Sequence, residues 1–207
     1  MQGRQGWILL SIVFSAFLGT AHAGTACELP PLQDGAKPRM VYGLDEAKSL
    51  VRFDAKAFLH DFSGKTSRVQ GVIRLSDPEQ LGDAEACVAI DAASLDTGNS
   101  TRDDTMRKDH LETAKYPTID FRLARVESAR RDPGGWEFTA GGTLLLHGVS
   151  REIRLPVRAR PDGDAVRLTA TLPLKMSDYQ IPIPKLLFIA VDDQVQVSFD
   201  VLARPVR

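Results

Sequence analysis

The sequence has little cysteine, little histidine and almost no excess charge. Its 26 Lys+Arg nearly balance 27 Asp+Glu, for a formal net charge of −1. Nucleic-acid-binding domains usually carry a basic excess on one face, so this balance argues against such a partner. There are only two cysteines, Cys27 and Cys87, and no Cys-x-x-Cys-His for haem attachment. The four histidines, His22, His60, His110 and His147, include no pair at metal-ligand spacing. Phosphate loops and dinucleotide fingerprints are missing, as is the Gly-x-Ser-x-Gly setting of a hydrolase nucleophile. Beyond Leu18 no apolar run approaches the roughly 20 residues that cross a bilayer. Internal repeats and low-complexity tracts are absent too.

What is present starts with an N-terminus unlike the rest. Arg4 is the only charged residue before Glu28. An apolar run follows over 7–18, and then Ala21-His22-Ala23. A positive start, a short apolar core and a small-x-small exit make a cleavable secretory signal. The expectation is cleavage after Ala23, export to the periplasm and no stable membrane insertion afterwards. Loss of residues 1–23 removes Arg4 and no acid, which takes the net charge from −1 to −2. An oxidising compartment leaves three readings open for Cys27 and Cys87: a disulfide, lipid attachment at Cys27, or two free thiols.

Residues 24–39, rich in proline and glycine, read as an N-terminal arm, and 40–207 as one domain. From about Met40 the pattern has period two. Apolar residues alternate with polar ones over 51–57, 69–74, 84–91, 118–126, 136–146, 151–160, 166–174 and 194–202. Gly141-Gly142 suggests a bulge or bend. Tight turns such as Asp132-Pro133-Gly134-Gly135 join several of these runs, and hairpin-length turns require antiparallel neighbours. The pattern breaks over 99–112, where Ser100 or Thr101 can cap one short helix with Met106 and Leu111 facing inward. The expected fold is therefore all-β, an antiparallel sandwich or barrel of about eight strands with one short helix in the middle of the chain.

The order of particular signals resembles the YceI-like family. Its carriers are Ser49-Leu50-Val51-Arg52-Phe53, Phe62-Ser63-Gly64, Val69-Gln70-Gly71-Val72-Ile73 and Ala93-Ser94-Leu95-Asp96-Thr97. Asp109-His110-Leu111, Tyr116-Pro117-Thr118-Ile119-Asp120-Phe121 and Gly142–Ile153 with His147-Gly148-Val149-Ser150 continue it. The likeness covers roughly Val41 to Ala203. It implies a lipocalin-like barrel around an apolar tunnel that holds a polyisoprenoid, quinone-like or fatty-acyl chain. It also implies a non-enzymatic carrier or sequestering protein with no cofactor besides such a bound lipid.

The candidate lining of that tunnel is Phe53, Phe62, Ile90, Met106, Leu111, Phe121, Phe138, Leu144, Leu155 and Phe199. Small residues at Ala55, Ala57, Gly71, Ala86, Gly142 and Ala170 would make room. The same side chains equally fit a filled core, since an eight-stranded barrel either fills itself or holds one ligand. The segment 177–188, with Pro182 and Pro184, cannot be a regular central strand. It reads as an extended loop at the barrel mouth. In the alternative reading the barrel is filled, and loop 180–188 is the protein-contact surface of an accessory or stress-response module. The pairs Asp103-Asp104 and Asp192-Asp193 read as a helix start and a turn. Arg122, Arg125, Arg130, Arg131, Arg151, Arg154, Arg158 and Arg160 read as a solvated outer face, or as a contact for lipid head groups or a membrane surface. A homodimer stays open.

Overall fold

A computed structural model describes residues 27–31, 39–57, 60–186 and 189–206. The expected signal segment 1–23, the expected cleavage site after Ala23 and most of the arm lie outside the described residues. The strands are β1 (Met40–Leu44), β2 (Leu50–Ala57), β3 (Phe62–Thr66), β4 (Val69–Leu75), β5 (Glu85–Asp91) and β6 (Thr118–Asp132). They continue with β7 (Gly135–Leu146), β8 (Val149–Asp162), β9 (Ala165–Lys175), β10 (Lys185–Leu186) and β11 (Ile189–Pro205). Eight of them, β1, β4, β5, β6, β7, β8, β9 and β11, pair in that order, and β1 returns to β11 to close an antiparallel barrel. The β2–β3 hairpin lies on the same edge of β11 as β1, further along the strand.

The ring has the expected size but not quite the expected members. The sequence pattern favours 51–57, yet that strand, β2, flanks the ring, and the five-residue β1 completes it. Strand β6 also outruns its expected end at Val126. Its period of two is broken between Leu123 and Arg125, which pair with Gly142 and Gly141. The extra residue, Ala124, is a bulge that resets the alternation. Leu123 and Val126 therefore both face inward. Gly142 permits this close approach, because a Cβ there would run into the Arg122 carbonyl oxygen and the Phe121 ring.

The β7–β8 hairpin turns on His147 and Gly148, with φ of +52° and +73°. Two adjacent positive φ angles match the twist of the flanking strands. The expected helix is shorter than 99–112 and is capped one residue earlier. Asn99, not Ser100 or Thr101, accepts the amide of Arg102 at 3.0 Å. Helix α1 spans Ser100–Thr105, and a π turn over Met106–His110 follows. Within 180–188, residues 181–184 belong to no helix or strand, and Lys185–Leu186 pairs with Ile189–Ala190.

The outer wall carries a lattice of ion pairs. Arg154 and Arg125 share Glu127, Arg130 and Arg158 share Glu137, Arg160 reaches Asp132, and Arg131 meets Glu79. These partners favour the reading of a solvated outer face for these arginines. Exposed pairs of this kind are worth roughly 0–1 kcal/mol each. Arg122 instead donates to the Glu28 carbonyl at 3.1 Å, and Arg74 to the Pro30 carbonyl at 2.7 Å. Both hold the arm against the outside of the barrel. There Cys27 is joined to Cys87 by a disulfide, with Cα atoms 5.7 Å apart, and packs with Ala89 and Leu29.

That bond closes a separation of 60 residues. Chain-entropy arguments give about 4 kcal/mol for such a loop, with 2–4 kcal/mol usual. Replacing both cysteines by Ala should lower the unfolding free energy by about 2–3 kcal/mol, since the freed arm regains some entropy in the native state. Denaturant melts of the oxidised protein and the double variant would check this; coincident curves would mean that the strap contributes nothing.

Candidate functional site

Inward residues of a small β-domain normally fill its centre. Here they do not. Among the described residues the largest fully buried side chains are Tyr179, Val69 and Cys87, and Cys87 points outward to the arm. Phe53, Phe121, Phe138, Phe199, Val88 and Leu168 face inward yet stay only partly buried. Their remaining surface faces a cavity of about 910 Å³. This lies at the upper end of the roughly 300–1,000 Å³ usual for small-molecule sites.

The wall is apolar over most of its extent. All ten candidate lining residues reach it: Phe53, Phe62, Ile90, Met106, Leu111, Phe121, Phe138, Leu144, Leu155 and Phe199. Ala55, Ala86 and Ala170 supply small positions on the wall, while Ala57, Gly71 and Gly142 are not part of it. Sequence reasoning missed Ala140, Trp136 and Leu168, although each shares the parity of a residue it did select. It also missed Tyr42 and Leu44, because β1 is too short to show a pattern.

The two ends of the cavity differ. At one, Pro78 and Leu81 from the β4–β5 connection meet Trp136, whose indole N–H donates to the Pro78 carbonyl at 3.1 Å. At the other, α1 with its π turn lies beside the segment that follows β9. Leu144, Leu146, Tyr179 and Ile181 cluster there, with Leu111, Phe121 and Met176 against them. Burial pushes the Tyr179 hydroxyl above its ordinary pKa. The expected mouth loop is thus in place at this end, and its residue Ile181 is folded inward, only 7% exposed.

Two histidines tie this end together. His110 Nδ1 lies 2.7 Å from the Pro182 carbonyl, and His147 Nδ1 lies 3.0 Å from that of Tyr179. Each nitrogen faces a carbonyl oxygen, so each donates. His147 Nε2 meets Glu112 at 2.8 Å, and Tyr116 packs on the ring edge. These are satisfied structural histidines. Among the described residues no cluster of three or more His, Cys, Asp or Glu could hold a metal ion.

The carboxylate pairs do not converge either. Asp104 is exposed beside Arg107, and Asp193 accepts from Ser177, which lowers its pKa. Asp103 is only 4% exposed and turns back to Thr97, accepting from its amide at 3.0 Å and its hydroxyl at 2.5 Å. Thr97 in turn receives Arg102, Nε to Oγ1 at 2.8 Å and Nη2 to the carbonyl at 3.0 Å. The Arg102 guanidinium stands 4.7 Å over the Phe62 ring. A buried carboxylate therefore positions a cation on the cavity wall.

A small closed barrel with a hollow apolar interior is the class that this geometry defines. The YceI-like domain model matches residues 42–203, and the chain belongs to that family. No curated protein sequence matches it. Among solved structures it is similar to Burkholderia cenocepacia BcnA, at 24% identity and TM-score 0.68, covering 77% of this chain and 98% of that one. A polyisoprenoid-binding domain from Saccharophagus degradans aligns at 22% identity and TM-score 0.61, covering 80% and 98%. The Campylobacter jejuni YceI protein aligns at 20% identity and TM-score 0.53, covering 92% and 96%. At these identities the likeness speaks for the barrel alone.

Burial pushes the Asp103 pKa up, but the hydrogen bonds from Thr97, together with contributions from Asp96 and the Arg107 charge, outweigh it, and the net direction is down. A depressed folded-state pKa stabilises the fold above the unfolded value of about 3.9 and ceases to do so as pH falls through the folded value. Asp103→Ala should therefore cost about 1–3 kcal/mol near neutral pH. The gap to the parent protein should begin to narrow near about pH 4 and go on closing as pH falls through the lower folded-state value. Urea melts across pH would check it; a gap that persists into strong acid would contradict the account.

Proposed function

We propose that this protein is an exported carrier or sequestering protein that holds one long apolar lipid chain inside its barrel. The single observation that carries the reading is the open cavity lined by Phe53, Phe121, Phe138, Leu155 and Phe199. Burial contributes about 0.8 kcal/mol per methylene, so a chain with many methylenes binds such a wall without charged contacts along its length. The name of the Saccharophagus degradans relative, a polyisoprenoid-binding domain, supports the same class of ligand. The ten wall residues are its proposed contacts. The arm, with the Cys27–Cys87 bond, suits an oxidising compartment, in line with the signal read over residues 1–23. No helix among the described residues is long and apolar enough to cross a membrane. The accessory-module alternative needs a filled barrel and an outward apolar loop; the open cavity and inward Ile181 favour the carrier.

Protein purified from the cell envelope should begin at Gly24 and release a long-chain lipid into organic solvent, read by mass spectrometry. Delipidated protein should gain about 2.7 kcal/mol with ligand at a hundred times Kd, or roughly 5–10 °C in Tm. No lipid in the extract and no thermal shift would end the proposal.

The hollow barrel also makes a mutational forecast. Ala170 faces the cavity between β8 and β11, pairing with Val157 and Phe199. In a filled core, overpacking there would cost about 1–3 kcal/mol. Ala170→Phe should instead cost under about 1 kcal/mol and weaken lipid binding, as a denaturant melt and a lipid titration would show together.

A further inference from the structure

Arg102 stands where the apolar wall reaches the helix end. We infer that it anchors an anionic head group, so that the ligand is an amphiphile with a carboxylate or phosphate head rather than a neutral isoprenoid or quinone. This rests on the carrier reading and adds the ligand's charge and orientation to it.

Three observations carry the inference. Arg102 is preorganised: Thr97 holds two of its nitrogens, Asp103 holds Thr97, and the Phe62 ring supports the guanidinium face. A group fixed by a supporting layer of contacts binds without losing further side-chain freedom. Arg102 is also unneutralised. Among the described residues it has no carboxylate partner, whereas Arg74, Arg130, Arg158, Arg160 and Arg167 each have one. Its Nη1 donates no hydrogen bond within the described residues, so one edge of a fork suited to bidentate oxyanions is unused.

The third observation is position. Arg102 lines the cavity in company with Asn99, Thr101, Thr105 and His110 of the same segment, the densest polar group on the wall. Lys175, at the end of β9 next to Met176, also lines it. The far end is lined by Pro78, Leu81 and Trp136. A lipid lying with its tail toward Trp136 places its head among the polar groups of the helix segment. In that orientation the unused guanidinium edge meets the oxyanion and apolar side chains meet the tail.

The test compares matched ligands that differ only in the head. Delipidated protein is titrated with oleate and methyl oleate, and separately with geranylgeranyl phosphate and geranylgeraniol. In at least one pair, the charged member should bind about tenfold tighter than its neutral partner, as expected for a charge-assisted hydrogen bond. Arg102→Gln should erase that preference while leaving the neutral ligand's affinity unchanged, and Arg102→Lys should restore part of it. The preference should also shrink with added salt. Whichever pair shows it identifies the head as carboxylate or phosphate. Equal binding of charged and neutral members would overturn the anchor alone. So would an Arg102→Gln variant that weakens both members equally, since that marks a purely structural arginine. If no member of either pair binds, the carrier reading falls and the anchor with it.

Discussion

Closure of the sheet at β11 is the constraint on which the rest of the molecule depends. One edge of β11 pairs with β9. The other is divided between β2, along Val191–Asp200, and β1, along Ala203–Pro205. Where one partner gives way to the next, Leu202 would be left with an unpaired amide and carbonyl. The intervening chain supplies both partners: the Ser49 hydroxyl accepts from the Leu202 amide at 3.2 Å, and the Asp45 amide donates to its carbonyl at 2.9 Å. Arg204 and Asp45 add an ion pair at 2.8 Å. Buried backbone groups without partners are costly, so this small polar patch lets a short β1 close the ring. An open sheet would instead expose strand edges.

A closed ring has a second consequence. Its backbone hydrogen bonds run around the wall and fix the barrel radius, so side chains need not meet in the centre to hold the shape. Well-packed regions lie elsewhere. Val51, Val69, Ile90 and Val201 form one cluster, and Tyr179, Ile181, Leu144 and Leu146 form another at the helix end. Ile119 packs against both clusters, while inward rings such as Phe199 and Phe121 touch them and stay partly exposed. The fold thus gives up part of the burial that stabilises an ordinary domain. The Cys27–Cys87 strap and the capped ends offset some of that loss.

The period-two strands were easy to read because each has one apolar and one polar face, as in Val51-Arg52-Phe53-Asp54-Ala55. Inward parity then follows directly, which is why the candidate wall residues of β2, β5, β6, β7, β8 and β11 were legible. Two kinds of feature were not. Short elements such as β1 and β3 carry too few alternations to stand out, although β1 closes the ring. Bulges shift parity without a strong local mark: Gly141-Gly142 signalled one on β7, but the extra residue is Ala124 on the opposing strand. The polar part of the site was hidden for a different reason. Asp103 reads as part of a helix start and Arg102 carries no signal of its own, because their roles depend on Thr97, which lies outside the helix. Nothing in sequence spacing distinguishes a solvated aspartate from one that turns back to a threonine.

The hollow interior also bears on how binding and stability are linked. In a filled barrel a ligand could enter only by displacing side chains, and its affinity would be reduced by their repacking. Here the wall is already formed, so an apolar chain replaces solvent or void and restores contacts that the inward rings otherwise lack. On the carrier reading, the lipid is the missing part of the core. Its free energy of binding then adds to the stability of the barrel by mass action. The same logic explains the unequal ends. A tail needs only an apolar lining, which Pro78, Leu81 and Trp136 provide. A polar head needs donors whose own positions are fixed, and such donors require buried support of the kind that Asp103 and Thr97 give Arg102.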